Sequence, residues 1–237
     1  MNFERRSVEP EWMDTLPVAY DEFRDCLVDL ARVNRLTHAY RPTLAFFDRL
    51  LQRARSLRRP LRVLDVGSGY GDTLRQVARW AARHDLPVTL TGLDMNPWAT
   101  RAATEATPRG PSVSWITMDA FAYAPSMEVD VVMSSLFAHH LDNEQLLRFL
   151  RFMDATATLG WFINDLRRHP LPYHLFRVAS KLARLHRFVQ HDGPISIARA
   201  FTVEDWRHRL REAQIPLFNV RIARALPYRL TVERRKS

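Results

Sequence analysis

Hydrophobic positions along the chain follow two periods. Short, nearly continuous apolar runs stand at LRVLDV (61–66), PVTLTGLD (87–94), SVSWIT (112–117), VDVVMSS (129–135) and TLGWFIN (158–164). Between them apolar residues recur every three or four positions, which predicts helices over 72–83, 97–106 and 143–154. Strands with no polar face, separated by helices, belong to a parallel sheet covered on both sides, because each crossover carries the chain back over the sheet. The C-terminal part departs from this rhythm. Helix 203–213 is followed by LFNVRIA (217–223) and YRLTVE (228–233), joined by a short turn around Pro227, which reads as a hairpin. The predicted fold is therefore α/β: a Rossmann-like doubly wound sheet, mostly parallel, with one antiparallel C-terminal strand, plus a helical cap.

The cap is read from two segments outside the strand–helix alternation. Trp12 to Leu57 carries apolar residues at helical spacing, with Pro42 suited to the first turn of a second helix. Residues 166–201 are too long for an ordinary connection and carry a stripe of Leu175, Phe176, Ala179, Leu182, Ala183 and Leu185. Residues 1–57 are thus expected to form an N-terminal helical cap, loose ahead of Trp12. Residues 58–237 are expected to form the main domain, with a cap insertion at about 166–201. Within that insertion HDGPISIARAF (191–201) predicts a turn at Asp192-Gly193-Pro194, either a cap hinge or a plain loop, with Ser196 and Arg199 near a helix start.

Composition narrows the class. The chain has 237 residues, 46% of them hydrophobic and spread evenly, enough for one buried core. No apolar run approaches the roughly 20 residues that cross a bilayer, and the first thirty residues lack a signal-peptide core, so the expected location is cytoplasmic. The single cysteine, Cys26, sits among apolar residues and reads as a buried thiol. A net charge of +9 permits attraction to nucleic acid, to an acidic carrier protein or to an anionic membrane surface. The arginines are scattered, so nucleic acid is not expected as a partner; oligomeric state is not legible.

The chemistry-bearing signal is VLDVGSGYGD (63–72). Glycines at 67, 69 and 71 directly after a strand let the backbone turn and approach a ligand at the start of the next helix. A dinucleotide loop would carry a third glycine where Asp72 stands, and Asp72 would repel a pyrophosphate. Asp65, two residues before the first glycine, suits a ligand with an ammonium group. Asp94 closes the second strand beside the loop, where a carboxylate can accept two ribose hydroxyls, and Asn96 is better placed than Asp94 to cap the following helix. Met118 and Asp119 follow the third strand, where an apolar flank and an acidic acceptor suit adenine.

In order, VLDVGSGYGD, GLDMNP, MDAF and VDVVMSSLFAHHLD resemble class I S-adenosylmethionine-dependent methyltransferases, the small-molecule branch similar to ubiquinone and menaquinone biosynthesis enzymes, over roughly residues 60–165. The resemblance implies S-adenosylmethionine as cofactor. It implies that Asp65, Gly67 and Gly69 shape the methionine pocket, that Asp94 holds the ribose, that Met95 packs on the adenine, and that Asp119 with Ala120 edges it. Ser68, Met118 and Ser134 complete the expected cofactor set.

The segment SSLFAHHLDN (134–143) bears on the reaction. Methyltransferases of exocyclic base amines resemble one another in a D/N-P-P-Y/F tetrapeptide here; this chain has Ser134, Ser135, Leu136 and Phe137. Oxygen or carbon acceptors are favoured. His139 and His140 are the candidate catalytic residues, since a histidine can take the proton from a phenol as the methyl arrives. No carboxylate cluster accompanies them in sequence, so no metal is expected. Asn164, Asp165, Arg167, Arg168 and His169 are expected to face the same mouth. The expected function is O-methylation of a small hydroxylated aromatic, quinol or polyketide-like acceptor, with an RNA methyltransferase or a catalytically silent cofactor-binding protein as alternatives.

Overall fold

The computed structural model describes residues 2–108 and 113–236. Ser112, the first residue of the third predicted strand, lies outside them. The chain runs α1 (Trp12–Thr15), α2 (Tyr20–Leu36), α3 (Arg41–Ser56), β1 (Leu61–Val66), α4 (Asp72–Arg83), β2 (Val88–Asp94), α5 (Pro97–Glu105), β3 (Val113–Thr117), β4 (Val129–Ser135), α6 (Asn143–Thr156), β5 (Ala157–Leu166), α7 (Pro170–Leu182), α8 (Arg187–Arg199), α9 (Val203–Glu212), β6 (Val220–Ala225) and β7 (Arg229–Arg235). The strands form a seven-stranded sheet in the order β3-β2-β1-β4-β5-β7-β6. All neighbours pair in parallel except β7, which runs antiparallel to both β5 and β6. β6 begins later than its apolar run, because Leu217–Asn219 form a 3-10 turn.

Two apolar layers sandwich the sheet. On one side α3 and α4 bring Phe46, Phe47, Leu50, Leu74, Val77 and Trp80 against Leu61, Val63, Val131 and Phe162. On the other, α6 and α9 bring Phe149, Leu150, Met153, Trp206 and Leu210 against Val132, Trp161, Ile163 and Val232. Burying each such side chain contributes roughly 1.5–3 kcal/mol. This explains the apolar runs in the strands. It also separates α3 from the other N-terminal helices, since α3 lies on the sheet.

The remaining helices gather in smaller clusters. α2 packs on α5 through Phe23, Leu27, Ala99 and Ala102, and on α8 through Cys26, Phe188 and Val189. Cys26 is buried, and burial pushes its thiol up to about 12.

The expected turn at Asp192-Gly193-Pro194 does not form; all three lie inside α8, with Pro194 in its interior. A Cβ on Gly193 would strike the Phe176 ring, so this glycine serves close packing of α7 on α8. Asp192 is buried and accepts the N–H groups of Trp12 and Met13 at 2.9 and 3.0 Å, capping α1. The stretch ahead of Trp12 is also tied down rather than loose. Arg6 donates to the carbonyls of Arg199, His139 and Leu141, and its guanidinium stacks on Phe201. Among the described residues no helix is long and apolar enough to cross a membrane.

Candidate functional site

The sheet order reverses between β1 and β4, and the C-terminal strand ends there form the crevice that open α/β sheets use for ligands. β1 hands the chain to Gly67-Ser68-Gly69-Tyr70-Gly71, whose glycines have φ of +69°, +50° and +71°. A Cβ on Gly67 would strike Phe137, and one on Gly71 the indole of Trp115. Gly69 has nothing within 4 Å of its Cβ position, so its bare backbone faces open space. Beneath the loop Asp65 is 1% exposed and its Oδ1 has no hydrogen-bond partner among the described residues. Burial, then the charges of Asp72 and Asp94, push its carboxyl well above the usual range. Ser134, on the neighbouring strand, buries an equally unpartnered Oγ.

Asp94 ties the loop to β2. Its Oδ2 accepts the Gly69 N–H at 2.8 Å and its Oδ1 the Asn96 N–H at 2.9 Å. Burial raises its carboxyl, although those two bonds pull the other way. Asn96 caps α5 by accepting the Trp98 N–H at 2.9 Å, which leaves Asp94 free of that duty. Met95 and Met118 are exposed beside Asp94, Asp119 accepts the Phe121 N–H at 2.9 Å, and Ala120 is buried next to it.

After β4 the chain turns sharply, with Leu136 at φ +56°, and Ala138–His140 form one 3-10 turn. His139 is 2% exposed. Its Nδ1 lies 2.7 Å from Asp165 Oδ1, and its backbone N–H donates to Asp165 Oδ2 at 3.0 Å. Burial would raise the Asp165 carboxyl, but the charge and hydrogen bonds of His139 with the Leu166 N–H hold it below its ordinary value. The other ring nitrogen, Nε2, lies 3.8 Å from Glu11 Oε1. His140 is more open. Its Nδ1 lies 3.1 Å from Asp14 Oδ2 and its Nε2 3.9 Å from Glu11 Oε2. Burial pushes the His140 pKa down, yet the Asp14 bond and the charges of Glu11 and Asp14 outweigh it and leave it raised.

A carboxylate therefore accompanies the two histidines, contrary to the sequence reading. Glu11 comes from 128 positions away, and its donor atoms and theirs lie within 4.8 Å of one another. Glu11 is itself engaged by the Ser196 hydroxyl at 3.0 Å, with Arg199 Nη1 at 4.0 Å, and Asp14 engages His140. The turn after β4, the N-terminal segment and α8 thus bring two histidines, two carboxylates, a hydroxyl and an arginine into one cluster.

A family model described as "Methyltransferase domain" matches residues 63–158. Over that stretch, from β1 to the start of β5, the chain is similar to methyltransferase domains. No curated protein matches significantly by sequence. Solved structures share the fold. The plantazolicin methyltransferase BpumL with S-adenosylhomocysteine aligns with TM-score 0.64 at 13% identity, covering 91% of this chain and 96% of that one. Magnesium protoporphyrin IX methyltransferase from Synechocystis, with the same bound product, gives 0.56 at 17%, covering 86% and 85%. Human N-acetylserotonin methyltransferase with S-adenosylmethionine gives 0.62 at 15%, covering 92% of this chain and 57% of that one.

The residues around the glycine loop would fit S-adenosylmethionine on their own chemistry. A buried unpartnered carboxylate oxygen and hydroxyl cost on the order of 1–3 kcal/mol each unless a ligand donates to them, as a ligand ammonium would. Several residues expected at the mouth do other work. Asn164 is buried and donates to the Ala39 carbonyl, Arg168 is paired with Asp205 and holds the Ala200 carbonyl, and His169 caps α7. Ser196 and Arg199 sit near the end of α8, not its start, and Arg199 holds the carbonyls of His139 and His140. Glu11, Asp14 and Arg6 escaped the sequence reading, because no local pattern marks a polar residue in an irregular N-terminus that docks onto a distant turn. Arg229 escaped it too. It is buried at the start of β7, bonded to Asn34, with one guanidinium nitrogen unpartnered.

Proposed function

We propose that the protein methylates an oxygen of a small hydroxylated aromatic, quinol or polyketide-like acceptor, with His139 as general base. The observation that carries this reading is the His139–Asp165 pair. A buried carboxylate on Nδ1 holds the ring and directs Nε2 toward Glu11, 3.8 Å away under the N-terminal segment, where an acceptor hydroxyl would have to reach it. When bound, S-adenosylmethionine supplies an activated methyl group on sulfonium. The protein would align the acceptor oxygen with that methyl group, and His139 Nε2 would take the acceptor's proton as the O–C bond forms and the methyl–sulfur bond breaks, the electron pair staying on sulfur and S-adenosylhomocysteine leaving. His140, held by Asp14 and favouring its charged form, faces the developing negative charge. Asp65 and Ser134 take the ammonium; Gly67, Ser68 and Gly69 let the backbone close on the methionine end. Asp94 accepts from the ribose, Met95 and Met118 flank the adenine, and Asp119 with Ala120 edges it. The stretch through α1 and α2, together with α7 and α8, caps the acceptor. Neighbours named for plantazolicin, magnesium protoporphyrin and N-acetylserotonin support a small-molecule acceptor.

The test is a panel of phenols and quinols incubated with S-adenosylmethionine, following product and S-adenosylhomocysteine together. Methyl ethers on oxygen are the expected products. Turnover confined to amines or to RNA would overturn the reading, as would tight S-adenosylhomocysteine binding with no turnover on any member.

A further inference from the structure

α7 shows an unpartnered face. Leu171, Leu175, Val178 and Leu182 are 47%, 54%, 59% and 79% exposed. At about 100° per residue they fall within one narrow stripe. The opposite side carries the buried Pro172 and Ser180 and the half-buried Phe176, which meets α8. The stripe thus points away from the protein along the whole helix. Its flank is cationic: Arg177, Lys181 and Arg184 are exposed, and no acidic residue occurs anywhere from Leu166 to His191.

We infer that α7 docks the protein on an anionic lipid surface, lying flat with the stripe among the acyl chains and the cations among the headgroups. The charge decides among occupants. A second copy meeting this face about a two-fold axis would set Arg177, Lys181 and Arg184 against the same residues, with no carboxylate on α7 to pair them. A phospholipid surface offers anions at every point around an apolar layer, and each cation near it adds on the order of a several-fold gain in binding. The stripe is aliphatic, whereas protein interfaces concentrate affinity in aromatic and arginine anchors. Helices that lie in a membrane interface have this composition, a leucine-rich face bordered by Lys and Arg. The surface is separate from the cofactor crevice, so docking leaves the glycine loop untouched.

The experiment is co-sedimentation of the full chain with phosphatidylcholine vesicles, with and without phosphatidylglycerol, at low and high salt. Binding is expected only with phosphatidylglycerol, and it weakens as salt rises. Leu175→Ser with Leu182→Ser should lower partitioning by about ten-fold or more, as should Arg177→Gln with Lys181→Gln, while both variants keep S-adenosylhomocysteine affinity as proof of folding. Equal binding by wild type and the leucine variant overturns the inference, as does indifference of the wild type to both vesicles. A dimer in light scattering that the leucine variant dissolves assigns the face to a second copy instead, and binding of an acidic carrier protein with no vesicle binding assigns it to a protein.

Discussion

The two halves of the site are built in opposite ways. The proposed cofactor half is assembled from strand ends that adjoin in the sheet: Asp65 lies near the end of β1 ahead of the glycine loop, Asp94 ends β2 with Met95 after it, Met118 to Ala120 follow β3, and Ser134 lies near the end of β4. The proposed acceptor half is assembled across the chain. Glu11 and Asp14 come from the N-terminus, His139 and His140 from the turn after β4, Asp165 from β5, and Ser196 and Arg199 from α8. A half made of consecutive strand ends can be fixed by a few short motifs, since the sheet places them side by side. A half made of long-range contacts is free to vary with the acceptor. The two halves should therefore fail separately when mutated.

The largest separation is expected at His139. His139→Ala should lower kcat about 10²-fold, equivalent to about 2.7 kcal/mol, while calorimetry shows S-adenosylhomocysteine affinity unchanged. An acceptor acidic enough to ionise unaided should be methylated by variant and wild type at similar rates. Loss of cofactor affinity in this variant would mean that the halves are not separable. The converse is Asp94→Ala, which removes the acceptor of the Gly69 N–H and, in the proposed pose, of the ribose hydroxyls. Cofactor binding should weaken by about 2 kcal/mol. With saturating cofactor, kcat should stay near wild type.

The same contrast governs what the sequence could tell. The strands, the glycine loop and Asp94 were legible because their signals are local: continuous apolar runs, glycines at positive φ, a carboxylate at a strand end. The antiparallel β7 was legible from the broken alternation after helix 203–213. Asp192-Gly193-Pro194 reads as a turn by composition, yet tertiary packing overrides it: Asp192 reaches back to cap α1, and Gly193 makes room for Phe176. Trp115 shows the same limit. The sequence marks it only as a strand residue, while the fold lays its indole over Gly71 and Gly92, so two of the glycines answer to it as much as to a ligand. Glu11 could not be found at all, since it meets His139 from 128 positions away in the chain.

A change confined to the cap sharpens the comparison at smaller scale. Gly193→Ala places a methyl group against Phe176 and should cost about 1–2 kcal/mol by overpacking, read in urea unfolding. Because α7 and α8 do not build the glycine loop, S-adenosylhomocysteine affinity should hold while KM for the acceptor rises. Equal losses on both sides would show that the cap also shapes the cofactor crevice.

The smallest effect is a displacement of the pH profile. His140 is raised above the ordinary histidine value because the Asp14 hydrogen bond and the charges of Glu11 and Asp14 outweigh burial. A raised pKa keeps the ring charged below it, and the charge is lost as pH climbs through it. If the cation faces the developing charge of the acceptor, kcat falls on the alkaline side of that pKa. Asp14→Asn removes the charge and weakens the bond at 3.1 Å, so the pKa of His140 drops and the alkaline fall moves to lower pH. The plateau rate stays close to wild type, because His139 and Asp165 are untouched. Asp14 is itself held below the usual carboxylate range by His140, against burial, so the two groups titrate as a pair. The matching variant is His140→Gln, whose profile should lose the alkaline fall altogether. An alkaline fall that stays in place in both variants would assign it to another group and leave His140 to the architecture of the turn.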